Sequence, residues 1–242
     1  MALNPPPLII AAPQTQDSTI IFLHGLADNS RNWVHLAHKM HEDTALQNTK
    51  FILPDAEERK VTLWNKHGES MPAWFNIPTW NDTASENNDQ EGLEASRGIL
   101  LSLVKAETDE YGIPPSRIFL GGFSQGGCVA LFTAVTATLS LGGAFGLSTY
   151  LPMIDRVKIL VSEQAPAIPS SRRTPVFLGH GNGDPKVKLH WAQRTANAIV
   201  DMGVPTRFEV YSGMFHQTCD KEIEDLCCFI KQHLNIGPIE ET

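Results

Sequence analysis

Apolar positions along the chain come in two kinds of run that alternate. Short β-rich stretches at 18–23, 50–53, 117–120, 143–147, 175–178 and 206–211 are separated by longer segments with helical spacing, and most of the short runs end at Gly, Pro, Asp or Ser. Between them, 91–110 puts Leu93, Leu100, Leu103 and Val104 on one side, and 221–234 puts Ile223, Leu226, Ile230 and Leu234 at helical intervals. Both read as amphipathic covering helices. Strands alternating with helices predict an α/β fold, with a mostly parallel central sheet covered by helices on both faces.

One segment breaks this rhythm. Residues 61–80 hold Trp64, Met71, Trp74, Phe75, Ile77 and Trp80, interrupted by Pro72 and Pro78, so they cannot form one long helix. Inserted after an early strand, such a segment predicts a small subdomain or flap. Its aromatics either line a pocket or simply pack the insertion onto the body. The acidic, amide-rich stretch 81–90 reads as a solvated connection into the first covering helix, and no internal repeat is visible.

Composition narrows the class. A chain of 242 residues, 42% hydrophobic and 19% charged, is an ordinary globular protein for which a single domain spanning 1–242 is the expectation. A formal net charge of -8 repels phosphate backbones, and no basic patch overrides it, since Arg172 and Arg173 are an isolated pair in a loop-like stretch. Nucleic-acid partners are not expected. Positions 1–10 lack a charged n-region, a sustained apolar run and a cleavage site, and no later segment reaches membrane-spanning length. Neither secretion nor stable membrane insertion is therefore expected. Cys128, Cys219, Cys227 and Cys228 show no metal-like pairing and two are adjacent, which fits reduced thiols in the cytoplasm better than a disulfide framework.

The chemistry enters at Gly122-Phe123-Ser124-Gln125-Gly126, a G-x-S-x-G pattern. Five residues alone are a weak signal. Here an apolar run, Arg117-Ile118-Phe119-Leu120, precedes the pattern and a small-residue, helix-compatible segment, 128–135, follows it. That is the strand, turn and helix on which an α/β-hydrolase exposes its nucleophilic serine. Glycines two before and two after the serine let strand and helix approach closely while the serine backbone takes a conformation that crowding side chains would forbid.

A serine hydroxyl needs a base within hydrogen-bond reach and a third group to orient that base. In this fold the chain order is Ser, then an acid, then His. After Ser124, the run at 175–178 leads into Gly179-His180-Gly181-Asn182-Gly183-Asp184, and the run at 206–211 leads into Ser212-Gly213-Met214-Phe215-His216. Asp184 and His216 thus follow strand ends, where active sites of open α/β sheets lie. Among nine histidines, His216 is the preferred base and His180 its main rival. His190 and His233 fall in helical patterns, and His24 follows the first strong strand. Backbone N–H groups of Gln125 and of the 25–27 loop, most naturally Leu26, are the candidate oxyanion donors.

These residues match a family. Phe22-Leu23-His24-Gly25-Leu26-Ala27-Asp28, Met71-Pro72-Ala73-Trp74-Phe75, Gly121 to Gly127, Leu147 to Pro152 and His180 to Asp184 follow one another as they do in the acyl-protein thioesterase and lysophospholipase group of small carboxylesterases, and nearly the whole chain resembles it. The resemblance implies a depalmitoylating serine hydrolase with lysophospholipase or carboxylesterase activity. It assigns Ser124, Asp184 and His216 as triad and Leu26 and Gln125 as oxyanion donors, with no metal or organic cofactor. Acylated proteins or small acyl esters and thioesters are the implied substrates. Leu26, Trp74, Phe75, Met214 and Phe215 are candidates to shelter the acyl chain, and exposed aromatics near the insertion are compatible with a weak homodimer. Ala27 stands where the family usually has glycine, Asn76 where an aspartate often follows the Trp-Phe pair, and Phe215 and Gln217 flank the histidine where smaller residues are common. A general short-chain carboxylesterase and a non-catalytic hydrolase-fold binding protein are the alternatives.

Overall fold

The computed structural model describes residues 5–64, 67–80, 89–164 and 173–235. Most of the 81–90 connection and Arg172 therefore lie outside the described residues. A seven-stranded sheet is built from β1 (Leu8–Ile10), β2 (Ser18–Leu23), β3 (Thr49–Leu53), β6 (Ile118–Phe123), β7 (Gly143–Leu147), β8 (Val176–Gly181) and β9 (Thr206–Tyr211). Its spatial order is β1-β3-β2-β6-β7-β8-β9. Only β1 runs antiparallel, pairing Leu8 with Leu53. A separate two-stranded hairpin, β4 (Glu58–Val61) and β5 (Glu69–Pro72), opens the insertion.

Helices cover both faces of the sheet, and the strands show why. In β2, Ile21 and Leu23 join the core shared with α2 (Gln90–Tyr111), α3 (Gln125–Thr136), α4 (Ile154–Gln164) and α5 (Leu189–Asp201). Ile20 and Phe22 point the other way, into the core shared with α1 (Val34–His41) and α6 (Asp220–His233). Strands buried on both faces carry unbroken apolar runs, and their period-two alternation sorts side chains by face. Here it also sorts them by shape. Phe22, Phe51, Phe119, Phe145 and Phe177 all lie on the α1/α6 face, where two helices cover the sheet and large rings fill the volume. Gly121 makes room for one of them, since a Cβ there would stand 2.0 Å from the Phe145 ring.

Three of the six expected strands have the expected bounds. The strands expected at 117–120 and 175–178 run further, through Gly121 and Gly122 and through Gly179 to Gly181. Pairing with neighbours on both sides overrides the weak strand propensity of those glycines. The hairpin was not expected as strands because its sequences, ERKV and ESMP, carry almost no apolar period. β1 is three residues long, and the eight-residue α1 buries only Leu36, Ala37 and Met40. Chain order reverses between β2 and β6, with β3 laid on one side and β7 to β9 on the other. Such a switch point opens a crevice at the carboxyl ends of its strands.

Candidate active site

Ser124 sits at that crevice, between the end of β6 and the start of α3, with φ 52° and ψ −119°. A non-glycine residue held there is strained and persists only where its surroundings fix it. Three hydrogen bonds do so: Ser124 N–H donates to Leu147 O at 2.9 Å, Ser124 O accepts from Cys128 N–H at 3.2 Å, and it accepts again from Thr149 Oγ1 at 2.6 Å. The flanking glycines are dictated by contact. A Cβ at Gly122 would lie 2.3 Å from the Gly126 carbonyl carbon, and one at Gly126 would lie 2.2 Å from Leu23 O.

Asp184 and His216 come from neighbouring loops that are stitched together. Asn182 N–H donates to Tyr211 O, Gly183 N–H to Met214 O, and Gly213 N–H to Asn182 Oδ1. The result is a 2.7 Å hydrogen bond between His216 Nδ1 and Asp184 Oδ2. Asp184 Oδ1 accepts from the N–H groups of Lys186 and Val187 at 2.8 and 3.0 Å. Burial alone would raise the Asp184 carboxyl. The His216 hydrogen bond, the His216 charge and the two backbone donors outweigh it and hold the carboxyl below its ordinary range. An ionised carboxylate only accepts, so in this bond His216 Nδ1–H is the donor. His216 and Ser124 line the same cleft.

The other histidines near the cleft do different work. His180 is buried, its Nε2–H donates to Val187 O at 2.9 Å, and burial depresses its pKa. It is a neutral brace for the loop that carries Asp184. His24 is likewise buried and depressed, chiefly by desolvation. Its Nδ1–H donates to Gly25 O at 2.7 Å and its Nε2 accepts from Ala56 N–H at 3.0 Å, so a neutral ring props the 25–27 loop. Within that loop Ala27 adopts φ 57° and donates its N–H to Pro72 O at 2.9 Å. The left-handed conformation favours glycine and strains an alanine. The N–H groups of Leu26 and Gln125 find no protein acceptor among the described residues.

The cleft has a volume of about 540 Å³, within the usual span of small-molecule sites. Gly25, Leu26, Ala27 and Asp28 form one wall, and Leu63, Trp64 and Trp80 come from the insertion. Phe123, Ser124, Lys186 and His216 complete it. Trp74 and Phe75 are elsewhere: at 1% and 0% exposure they are core residues, with no surface to offer a ligand in this conformation. Met214 is buried too, and its carbonyl staples the acid loop. Phe215 is 60% exposed and is not among the lining residues. Sequence reasoning did not single out Leu63, Asp28 or Lys186. The signal available for Leu63 and Lys186 was proximity, to Trp64 and to Asp184.

Residues 4–234 match the model of the phospholipase/carboxylesterase family. The chain belongs to that family. As a member it is a hydrolase of carboxylic esters, and its fold is the α/β-hydrolase fold. It is 37% identical over 230 residues to acyl-protein thioesterase 1 of Emericella nidulans, covering 93% of each chain. It is 36% identical over 231 residues to acyl-protein thioesterase 1 of Saccharomyces cerevisiae, covering 94% of this chain and 97% of that one. Among solved structures, Zea mays acyl-protein thioesterase 2 superposes with a TM-score of 0.82 at 28% identity, over 94% of this chain and 98% of that one. In this family member Asn76 uses its amide: Oδ1 accepts from Thr62 N–H at 2.8 Å and Nδ2 donates to Thr62 Oγ1 at 3.0 Å, tying the two ends of the insertion. No helix among the described residues is long and apolar enough to cross a membrane.

Proposed function

We propose that the chain is an acyl-protein thioesterase that removes long acyl groups from cysteine side chains, using Ser124 as nucleophile, His216 as base and Asp184 to orient it. The observation that carries this reading is the 2.7 Å bond between His216 and Asp184 with Ser124 on the same cleft. Its relatives' names support the thioester as substrate. Four unbonded cysteines agree with a reducing, cytoplasmic setting.

Ser124 Oγ bonds to the thioester carbonyl carbon while its proton passes to His216 Nε2. The C–S bond then breaks, and the leaving thiolate takes that proton. Water next gives a proton to Nε2 as its oxygen attacks the acyl-serine, and Ser124 recovers its proton as the carboxylic acid leaves. The free N–H groups of Leu26 and Gln125 stabilise the oxyanion formed in each half, a contribution of about 3 kcal/mol per donor. Leu26, Leu63, Trp64 and Trp80 shelter the acyl chain. All these roles are filled by protein side chains and backbone.

Labelling with a fluorophosphonate, mapped by mass spectrometry with Ser124→Ala as control, tests the nucleophile. A series of thioesters and oxygen esters from acetyl to palmitoyl tests the substrate. Modification at Ser124 with turnover rising toward long-chain thioesters is expected. A flat preference for acetyl or butyryl esters would identify a general short-chain carboxylesterase instead, and an unreactive Ser124 would identify a binding protein.

A further inference from the structure

A line of aromatic rings leads to the histidine from the core beneath the nucleophile. Phe123, immediately before Ser124, packs on the His216 imidazole with ring centroids 4.7 Å apart and planes inclined by 52°. Trp33 lies 4.9 Å from Phe123, and Phe22 lies 4.7 Å from Trp33. All three rings are more than nine-tenths buried. Trp33 is locked in rotation because its Nε1–H donates to Asp28 Oδ2 at 2.8 Å, while Asp28 Oδ1 accepts from Asn32 at 2.7 Å.

We propose that Phe123 is a positioning residue for hydrolysis: its ring holds the His216 imidazole and stabilises the imidazolium formed when the Ser124 proton reaches Nε2, with Trp33 and Asp28 keeping the ring in place. The inference rests on the triad reading above. A cation within about 6 Å of an aromatic centroid is attracted by the ring quadrupole, and a neutral imidazole gains much less. The attraction therefore grows as the proton arrives, and interactions stronger in the transition state than in the ground state raise kcat. The charged groups around this imidazole leave room for such a contribution. Asp184 accepts from its Nδ1–H, neutral His180 stands 3.7 Å behind Asp184, and Asp28 and Lys186 line the same cleft with opposite signs.

The test replaces Phe123 in the full chain with mono-, di- and trifluorophenylalanine, which keep the ring's shape while draining its negative face. With one long-chain thioester, kcat is expected to fall stepwise with each fluorine, by about threefold to thirtyfold across the series, while KM moves less. Phe123→Leu, which keeps an apolar side chain without a π face, should fall at or below the end of that series. A kcat that does not respond to fluorination in a protein still labelled at Ser124 overturns the inference and leaves the hydrolase reading intact. Failure of the native protein to label or turn over thioester overturns that reading, and the inference with it.

Discussion

Trp74 N–H donates to Gln125 Oε1 at 2.9 Å, so the residue that follows Ser124 also anchors the insertion. The same side chain donates from Nε2 to Phe75 O at 2.7 Å, and Trp74 Nε1–H donates to His24 O at 2.8 Å. The 25–27 loop, the insertion and the start of α3 thus share one buried network. Truncating Gln125, which is 2% exposed, would strand a backbone N–H and a backbone C=O away from water. Each unsatisfied group costs about 1–3 kcal/mol. Gln125→Ala is expected to lower the thermal midpoint by roughly 5–15 °C, since 1 kcal/mol is worth about 2–4 °C in a domain of this size. Scanning calorimetry reads the shift. A midpoint unchanged within 2 °C or so would mean that the insertion is held by other contacts.

Asp184→Asn is expected to spare the fold while crippling the reaction. An amide cannot accept from His216 Nδ1–H through one atom and from the Lys186 and Val187 N–H groups through the other, so one end meets donors with a donor. The orientation that satisfies the backbone forces the imidazole into the wrong tautomer. A fall in kcat on the order of 10⁴-fold follows, as measured by pre-steady-state and steady-state ester hydrolysis. The carboxyl's depressed pKa has its own consequence. The stability that Asp184 contributes is present above the ordinary carboxylate range and is lost only as pH falls through the lowered folded value. Asp184→Asn should therefore flatten the acid limb of a stability-versus-pH curve.

The sheet was legible because parallel strands buried on both faces leave unbroken apolar runs, as at Ile20-Ile21-Phe22-Leu23 and Val176-Phe177-Leu178. Ser124 and Asp184 could be picked out because each follows such a run, and His216 because it follows the β-rich run Thr206–Tyr211. Elements held by neighbours were not legible. The β4–β5 hairpin has no apolar period of its own, and β1 exists through its pairing with β3. For Trp74 and Phe75 the sequence left two readings open, lining a pocket or packing the insertion onto the body, and both residues are buried. Burial depends on which way the chain turns after Pro72, where the Gln125 amide bonds to Trp74 N–H and Phe75 O. Leu63, Trp64 and Trp80, before and after that turn, reach the cleft instead.

Far from the cleft, Lys50 in β3 and Glu107 in α2 form a buried ion pair, Nζ to Oε1 at 2.6 Å, with side chains 9% and 2% exposed. Glu107 Oε2 also accepts from Thr19 Oγ1 and Gln16 Nε2 at 2.7 and 2.9 Å. Removing one partner strands a buried charge, at a cost of about 3–5 kcal/mol, whereas replacing both with apolar residues is often close to neutral. Lys50→Met alone is expected to lower the urea midpoint strongly, and Lys50→Met with Glu107→Leu to recover much of the loss. If the double variant is as weak as the sum of its single variants, the two residues contribute independently.

Glu222 in α6 presents the opposite case, a carboxyl with no counter-ion among the described residues. It is 0% exposed, and neither of its oxygens has a hydrogen-bond partner among the described residues. It packs against β8 so closely that a Cβ on Gly179 would lie 2.2 Å from Oε1. Burial pushes its pKa up to about 8, so the folded protein holds a proton there that the unfolded chain releases at the ordinary glutamate value. Between those two values the folded state binds more protons than the unfolded state, and stability must fall as pH rises. Below the unfolded value both states are protonated, and above the folded value both are ionised, so the slope vanishes at either end. Glu222→Gln keeps the shape and removes the titration. The native thermal midpoint is expected to drop from pH 5 to pH 8 relative to this variant, by several degrees, in a scan at matched ionic strength (~1.4 kcal/mol per unit of pKa displacement). Parallel curves for the two proteins across that window would mean that water or a local opening solvates the carboxylate, and that its burial does not set the alkaline limit of the fold.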